Sequence, residues 1–423
     1  MNQRHDCRRE VFIVKRRKGQ IFALCAAVLL AAGMQPVGAA ELLGSQGLQT
    51  EAAAIGAQTG VSDSSAGFAL SLLRGLHTSG QNALISPVSA EFALGMAANG
   101  ADSQTLEQLE QVLGGSPEIL NSTNLSRKNS LEQSGVQVAN SVWMNTQYGG
   151  IPQGNPVWDQ YAETLEQYYN AQLGAEDLGS TEGIGAVNAW VNENTNGMIP
   201  SIFDSPDSGM RLCLVNALSM DAKWVSPYDP SDVHEGTFTT ASGAQQQAEF
   251  MDSTEEYFQV DGAAGIRKYY RDSTLAFTAI LPDGTLDAYL DTLTAEDLAE
   301  LWNTPSSGRA QSSLPKFKIE QQYQLNNTLS QMGLTDAFNP DAADFSGITG
   351  EENLYISTVV QKTVLEVNED GTKSAAATGI GINVTSAPLP PEHTIEFNRP
   401  FLFAVVDTQT NTPVFLGVCE SVE

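Results

Sequence analysis

The sequence has few cysteines and few basic residues, and both shortages limit what the protein can be. Four cysteines in 423 residues do not make a disulfide framework. Lysine and arginine number 21 against 50 acidic residues, which gives a net charge of −29 at pH 7. A surface with this charge repels nucleic acid and anionic membranes. We therefore expect no nucleic-acid or membrane partner and an acidic, solvated surface.

Histidine is also scarce. The histidines are His5, His77, His234 and His393. They are far apart and have no metal-ligand spacing, so the sequence predicts no metal site and no cofactor. Cys213 and Cys419 lie in apolar runs and are predicted to be buried free thiols.

The first 39 residues have the order of a secretory signal. A basic region that ends at Lys18 precedes an apolar stretch from Ile21 to Gly33, and small residues lead up to Ala39. The apolar stretch is too short for a good membrane span, and no second long apolar segment follows. We expect cleavage before Ala40 and an exported, soluble chain, as in secreted bacterial proteins. Without residues 1–39 the chain has 14 basic and 48 acidic side chains.

Residues 40–66 are small and polar and indicate a weakly ordered arm. Attachment to the cell surface through this arm is the alternative to release into the medium. From 67 to 423 the apolar pattern is dense and uninterrupted, so we predict one large domain. Helical spacing covers 68–76, 158–169 and 184–191, and Ser86-Pro87 predicts a helix start with Ser86 as N-cap. Strand-like runs cluster later in the chain, which favours an α+β fold.

The predicted strands lie in eight stretches of alternating or continuous apolar sequence. These are VQVANSVWM (136–144), RLCLVNALSM (211–220), LAFTAILP (275–282), SSLPKFKIE (312–320), NLYISTVVQKTVLEV (353–367), HTIEF (393–397) and FLFAVV (401–406) with PVFLGV (413–418).

Proline is locally absent as well: none occurs from Asp370 to Ala387, directly after a strand-like run. A proline would remove a hydrogen-bond donor from a strand, so its absence permits this segment to join a sheet. With a period of two, Thr372 and the small or uncharged residues at 374, 376 and 378 share one face. Lys373 lies on the other face. A flexible linker is the alternative structural interpretation.

Seven longer motifs follow one another along the chain. They are NALISPVSAEFALGMAANGADSQTLEQLEQVLG (82–114), WVNENTNGMI (190–199), LVNALSMDAKWVSPYDP (214–230), SLPKFKIE (313–320), LTDAFNPDAADFSGI (334–348), EVNEDGTKSAAAT (366–378) and FNRPFLFAVVD (397–407). In this order they resemble the motifs of the serpin family. The resemblance implies three β-sheets surrounded by about eight or nine helices, with an exposed reactive-centre loop at about 370–392. It also implies a covalent, suicide-type inhibitor of serine proteases, not an enzyme, whose cleaved loop inserts into the large sheet.

The resemblance carries over residue by residue to two groups. The loop hinge comprises Gly371, Thr372, Lys373, Ser374, Ala375, Ala376, Ala377 and Thr378. The residues where the large sheet opens are Ser86, Asn216, Trp224 and Gln361. Gln361 stands where the family usually has a histidine, so a group that titrates near neutrality is missing. Lys373 and Ser374 also depart from the commonest hinge, which has glutamate and alanine.

The family's residue count from Gly371 puts the scissile bond at Thr385–Ser386. Neither residue is basic or bulky, and small or β-branched side chains suit the shallow apolar pocket of elastase-like proteases. We expect such proteases, including those of a host, as partners of a monomeric inhibitor. Only Arg127 and Lys128 are basic where heparin-activated members have a basic patch, so we expect no heparin-like cofactor.

Two alternatives remain from the sequence. A non-inhibitory serpin would act as a binding protein or chaperone, although such members tend to have proline, charge or bulk in the hinge. A secreted hydrolase is suggested only by Ser313-Leu314-Pro315-Lys316, which fits S-x-x-K without its companion motifs.

Overall fold

A computed structural model describes residues 59–152, 154–271, 273–350, 354–372 and 390–422. They form an α+β fold, which confirms the predicted fold class. The described residues contain ten α-helices, slightly more than expected: α1 (Thr59–Leu76), α2 (Pro87–Ala98), α3 (Ser103–Leu113), α4 (Pro117–Gln133), α5 (Pro156–Tyr169), α6 (Thr181–Asn194), α7 (Leu286–Thr292), α8 (Ala295–Asn303), α9 (Asn326–Gln331) and α10 (Ser346–Thr349).

The strands of the described residues number 16. They are β1 (Ala83–Ile85), β2 (Val136–Asn145), β3 (Gln172–Glu176), β4 (Leu212–Met220), β5 (Ala222–Lys223), β6 (Val233–Thr239), β7 (Gln245–Val260), β8 (Ala263–Tyr269), β9 (Leu275–Pro282), β10 (Gly308–Pro315), β11 (Phe317–Gln324), β12 (Ile356–Val367), β13 (Gly371–Thr372), β14 (His393–Glu396), β15 (Phe401–Asp407) and β16 (Thr412–Cys419).

Hydrogen bonds join these strands into two networks, whereas the resemblance implies three separate sheets. The first has nine strands in the order β1-β16-β15-β9-β8-β7-β10-β14, with β6 also on β7. The second has seven in the order β3-β2-β4-β12-β13-β5, with β11 also on β12. The first is continuous because the 16-residue strand β7 pairs with β6, β10 and β8 along its length.

The predicted helices are confirmed, and their ends follow local chemistry. Ser86 caps α2 by accepting a hydrogen bond from the backbone N–H of Ser89, and Pro87 occupies the first helical position. Helix α2 is buried along its whole length, as expected for a helix with no polar face. Helix α1 begins at Thr59, inside the segment predicted as an arm. The predicted signal, residues 1–39, lies outside the described residues.

The seven-stranded network is covered on both faces, which explains the continuous apolar run of β4. Leu212, Leu214 and Leu218 belong to the main core with α2. Cys213 and Val215 point to the other face, in a smaller core with α6. A strand buried on both sides has no polar alternation. Burial also raises the pKa of the Cys213 and Cys419 thiols, and both cysteines are free and buried, as predicted.

One predicted strand is in fact two strands. The run SSLPKFKIE is not a single strand, because the chain leaves β10 in the nine-stranded network and enters β11 in the other. The break falls at Lys316. The sequence prediction also missed β6 and β7, whose residues are largely polar and partly exposed, and β8, whose mixture of small, apolar and basic residues (AAGIRKY) is mostly buried. None of these strands shows strong apolar alternation. No helix among the described residues is long and apolar enough to cross a membrane.

Candidate functional site: the seam between two parallel strands

The residues singled out by the sequence gather along the boundary between β4 and β12, which we call the seam. The two strands pair in parallel from Ile356 opposite Leu212 to Lys362 opposite Ala217. Further along, the short strand β13 lies between β12 and β5, the strand that follows β4. The seam is therefore closed by direct pairing over most of its length and separated by an extra strand at its C-terminal end.

Strand β13 contains the first two hinge residues. Thr372 pairs with Val367 on one side and with Ala222 on the other, antiparallel to both neighbours. Its side chain is buried, and its hydroxyl lies 2.5 Å from the hydroxyl of Tyr270. Gly371 is required by close approach, because a Cβ there would lie 2.1 Å from the backbone oxygen of Ala222.

Trp224 lies at the same end of the seam, in what we call the Trp224 cluster (Trp224, Tyr228 and Tyr270). The indole is completely buried and stacks on Tyr270 with ring centroids 4.3 Å apart. Its Nε1 donates to the Asn368 carbonyl at 2.9 Å, and its backbone N–H donates to the Asp370 carbonyl at 3.0 Å. Trp224 is therefore a core residue that also holds the chain segment leading into β13.

Ion pairs surround the Trp224 cluster. Lys316 Nζ donates to Glu369 and, at 3.2 Å, to Glu249. Lys268 Nζ lies 2.5 Å from Glu255 and 4.1 Å from the ring centroid of Tyr228. Burial lowers the pKa of Lys268 more than Glu255 raises it. Partial burial has the largest single effect on the Glu369 carboxyl and raises its pKa. The hydrogen bond and charge of Lys316, together with a backbone hydrogen bond, outweigh this effect and lower the pKa.

The middle of the seam is held by uncharged groups. Gln361 Nε2 donates to the Ser86 carbonyl at 2.8 Å, and Gln361 Oε1 accepts from the Ser86 backbone N–H at 3.0 Å. The Ser86 hydroxyl donates to the Val414 carbonyl at 2.7 Å. Both residues are buried. One amide thus satisfies a donor and an acceptor of the same backbone residue, across the boundary between β12 and α2.

Asn216 lies beside Gln361 in the adjacent strand, but it is not bonded to Ser86. Its Oδ1 accepts from the Ser89 hydroxyl, and its Nδ2 donates to Asn140 Oδ1. Sequence reasoning missed Ser89 and Asn140. Ser89 could have been found as a polar residue one helical turn after Ser86 in a helix that is buried and mostly apolar. We call these five residues (Ser86, Ser89, Asn140, Asn216 and Gln361) the Ser86 network.

The N-terminal end of the seam has contacts that the sequence did not indicate. Arg211, just before β4, lies with its guanidinium carbon 4.5 Å from the ring centroid of Tyr148 and 5.7 Å from that of Tyr355. Its backbone N–H donates to the Ser357 hydroxyl at 2.8 Å, and the Tyr355 hydroxyl donates to the Gly209 carbonyl at 3.2 Å. These contacts connect the beginnings of β4 and β12.

Other residues named from the sequence are either outside the described residues or buried away from the seam. The hinge residues 373–378 and the predicted scissile bond, Thr385–Ser386, lie outside the described residues. Arg127 is buried in an ion pair with Glu91, and Lys128 is buried 3.4 Å from Glu132. Neither side chain is thus presented to solvent as a basic patch would require.

The S-x-x-K match does not have the electrostatics of a catalytic pair. A lysine that acts as a general base needs a lowered pKa. Partial burial lowers the pKa of Lys316, but its hydrogen bonds with Glu369 and Glu249 outweigh that effect and raise it. Lys316 therefore serves as a cation between two carboxylates.

Comparisons with known proteins agree in the family they identify. A profile of the family described as Serpin (serine protease inhibitor) matches residues 63–421. Iripin-8 from Ixodes ricinus is 32% identical over 370 residues, which cover 82% of this chain and 90% of the relative. Serpin B10 from Bos taurus is 31% identical over 384 residues, which cover 80% and 93%. The crystal structure of the thermophilic serpin tengpin in its native state has a TM-score of 0.77 and 36% identity, covering 85% and 94%.

Proposed function

Because the chain belongs to the serpin family of serine protease inhibitors, we propose that it traps serine proteases irreversibly by inserting residues 373–385 into the seam. The protease serine attacks the Thr385 carbonyl, the amino group of Ser386 leaves, and an ester joins the enzyme to Thr385. Insertion of the freed strand then moves the attached protease before water can hydrolyse the ester. Together with Thr372, which is already paired, the strand to Thr385 would have fourteen residues and a length of about 45 Å.

The observation that carries this proposal is the pairing of β13. Thr372 already pairs with strands on both sides, and both pairings are antiparallel. A continuation in the same direction would run antiparallel to both β4 and β12. It would replace one parallel ladder with two antiparallel ladders, which are slightly more stable per residue. Each additional backbone hydrogen bond contributes about 0.5–1.5 kcal/mol net.

The side chains support insertion as well. Thr372 is buried on the side of Tyr270, and a period of two gives that side Ser374, Ala376 and Thr378. These residues are small and uncharged, so they require little space and no desolvation of charge. A non-inhibitory binding protein, the alternative function, would not need a face with this composition.

We further propose that the target proteases are elastase-like. Asn383, Val384 and Thr385 precede the predicted bond, and none has a charge for a trypsin-like pocket or the bulk that a chymotrypsin-like pocket prefers. The enzyme would be recognised by its shallow apolar specificity pocket. The net charge of −29 makes basic proteases the electrostatically favoured partners.

The first experiment mixes the purified chain with elastase, trypsin and chymotrypsin and examines the mixtures on a denaturing gel. We expect a heat- and detergent-stable covalent band with elastase. Mass spectrometry of the released C-terminal peptide should find Ser386 at its start. A start other than Ser386 or Thr385 refutes the site, and trapping of trypsin but not elastase refutes the specificity.

A matched pair of variants then tests insertion. Thr372→Arg introduces a charge at the buried position between β12 and β5 and should convert the inhibitor into a substrate that is cleaved without trapping. Lys373→Glu changes the next residue, predicted on the opposite face, and should trap normally. If wild type itself is only cleaved, the chain is a non-inhibitory serpin. If Thr372→Arg traps protease as efficiently as wild type, the assignment of the inserting face is wrong.

We also propose that the protein is a secreted bacterial monomer with residues 1–39 removed. The support is the basic, apolar and small-residue order of that segment. N-terminal sequencing of protein recovered from the native culture should find Ala40 first. Recovery in the cell-wall fraction would favour attachment through the arm, and retention of Met1 would refute export by this route.

A further inference from the structure

The fold brings together three potential metal ligands that are distant in the sequence. His77 follows helix α1, Asp287 is the second residue of α7, and Glu420 follows β16. One ligand-type atom from each of them lies within 4.8 Å of the other two. His77 and Glu420 are 343 residues apart, so no spacing pattern could have revealed this cluster. From this geometry we propose that His77, Asp287 and Glu420 form a zinc-binding site.

The donor set fits a borderline divalent metal. One imidazole and two carboxylates from separate segments are ligands that Zn²⁺ commonly takes, with a water molecule in the fourth position. His77 Nε2 already lies 2.9 Å from Glu420 Oε1, slightly closer than the separation of about 3.3 Å between two ligands of a tetrahedral zinc. Asp287 is half-buried at the start of a helix, and a small side-chain rotation would complete the triangle.

The charge balance also favours a cation. The Glu420 side chain is only 1% exposed, and among the described residues its ion-pair partner is His77 alone. Asp287 has no ion pair in the described part of the chain; its hydrogen bond comes from the Ser79 hydroxyl at 2.5 Å. Arg74 is close by but donates to the carbonyls of Leu290 and Leu293. Two carboxylates therefore face one imidazole, and a divalent ion would neutralise the excess charge.

The surrounding contacts hold these groups in position. Asn82 Oδ1 accepts from the backbone N–H groups of Glu420 at 2.6 Å and Ser421 at 3.0 Å, which fixes the chain after β16. Ser79 orients Asp287 in the same way. Such supporting hydrogen bonds are characteristic of metal sites. The bound ion would connect the end of α1, the start of α7 and the C-terminal segment.

The test uses the untagged chain after treatment with a chelator. Calorimetric titration with ZnCl₂ should show one saturable site per chain. Zinc at a 100-fold excess over its dissociation constant should raise the unfolding temperature by roughly 3–8 °C. Mg²⁺ and Ca²⁺ prefer six or more oxygen ligands and should not raise the unfolding temperature. None of the ligands belongs to the strands of the seam, so protease trapping should not change with zinc.

Two variants and a matched control assign the ligands. His77→Gln keeps a hydrogen-bond donor for Glu420 but removes the imidazole, and should weaken zinc binding at least about tenfold. Asp287→Asn, at a half-buried position, should weaken it similarly. His234→Gln changes another histidine that is paired with an aspartate, Asp252, and should bind zinc like wild type.

Three results would overturn the proposal. They are the absence of saturable zinc binding by the wild type, equal zinc affinity of wild type and His77→Gln, and calcium binding as strong as zinc binding. In the last case the cluster would be an oxygen-dominated site for a hard cation instead.

Discussion

The Trp224 cluster and the Ser86 network lie at two places along the same seam and are stabilised by different means. The Trp224 cluster consists of stacked aromatic rings with ion pairs around them. The Ser86 network consists of hydroxyl and amide groups that are all buried and uncharged. The cluster lies where β13 has already separated the strands, and the network lies where β12 and β4 still pair directly.

The seam therefore resists opening for different reasons beside the Trp224 cluster and beside the Ser86 network. Aromatic burial depends on contact area and tolerates small displacements. Hydrogen bonds between buried amides depend on direction, and a shift of a strand leaves donors and acceptors unpaired. We expect the network to be the sharper barrier to insertion and the cluster to supply more of the stability. Ion pairs adjoin the cluster, whereas none of the five side chains of the network is charged.

The largest effect should come from Trp224→Ala. Loss of a fully buried indole should lower the free energy of unfolding by about 3–5 kcal/mol. Trp224→Phe retains a ring that can stack on Tyr270 but loses the hydrogen bond to the Asn368 carbonyl. Its free energy of unfolding should fall by about 1 kcal/mol for this hydrogen bond, in addition to the loss from the smaller ring. Urea-induced unfolding measures both variants. A loss below 1 kcal/mol in Trp224→Ala would remove the distinction drawn between cluster and network.

The second effect concerns Gln361→His, which introduces a titratable group into the uncharged network. Two effects should lower the pKa of this imidazole. Burial disfavours its charged form, and the protonated ring has no lone pair to accept a hydrogen bond from the Ser86 N–H. Its neutral form is therefore favoured in the folded state, and unfolding stability should fall as pH drops below about 6.5. The slope should reach up to about 1.4 kcal/mol per pH unit.

The measurement is the difference in unfolding free energy between variant and wild type at pH 7.5 and at pH 5.5. Taking the difference cancels every titration that the two proteins share. A difference that does not change with pH would mean that the introduced imidazole is solvated, and that the network is looser than its distances indicate.

The smallest effect should come from Lys316→Met, which removes the pair with Glu369. The lowered pKa of Glu369 means that the pair stabilises the fold above the carboxyl's ordinary value of about 4.5 and loses this effect as pH falls through the lowered pKa. Because both side chains are partly exposed, we expect at most about 1 kcal/mol.

The control for that prediction is Lys362→Met. Lys362 pairs with Glu320 at 3.3 Å, across β12 and β11 and away from β13. Both variants are compared with wild type at pH 7 and pH 3, and protease trapping is measured alongside. Only Lys316→Met should change the ratio of trapped to merely cleaved inhibitor. An equal change in both variants would show that overall charge matters, and not the position beside the hinge.

The sequence predicted most of the fold and named the residues of the seam, but it could not predict their partners. Resemblance identified Ser86, Asn216, Trp224 and Gln361. It placed Ser86 and Asn216 in one group without their partners, and Asn216 bonds to Ser89 and Asn140. Short-range signals such as the Ser86-Pro87 cap determine helix ends locally. Pairings between residues more than 70 positions apart depend on strand register, which a single sequence does not encode visibly.

The strands that were missed have the same explanation. Strand β7 alternates between exposed and half-buried residues only at its start and then has a run of five half-buried residues. Its place in the sheet therefore follows from its neighbours and not from its own apolar pattern. The cluster of His77, Asp287 and Glu420 is an extreme case, since each residue comes from the end of a different element.

The direct pairing of β4 with β12 has a further consequence, for the kinetics of self-association. When the seam opens, each strand exposes an edge of unpaired backbone groups, and such an edge accepts any extended chain whatever its sequence. Insertion of the molecule's own residues is a first-order process, whereas insertion of the same residues from a second molecule is second order. Under the proposed mechanism, the balance between an active inhibitor and a chain of linked molecules therefore depends on protein concentration. A dilute protein is protected from polymerisation by dilution itself, with no change in any of its contacts.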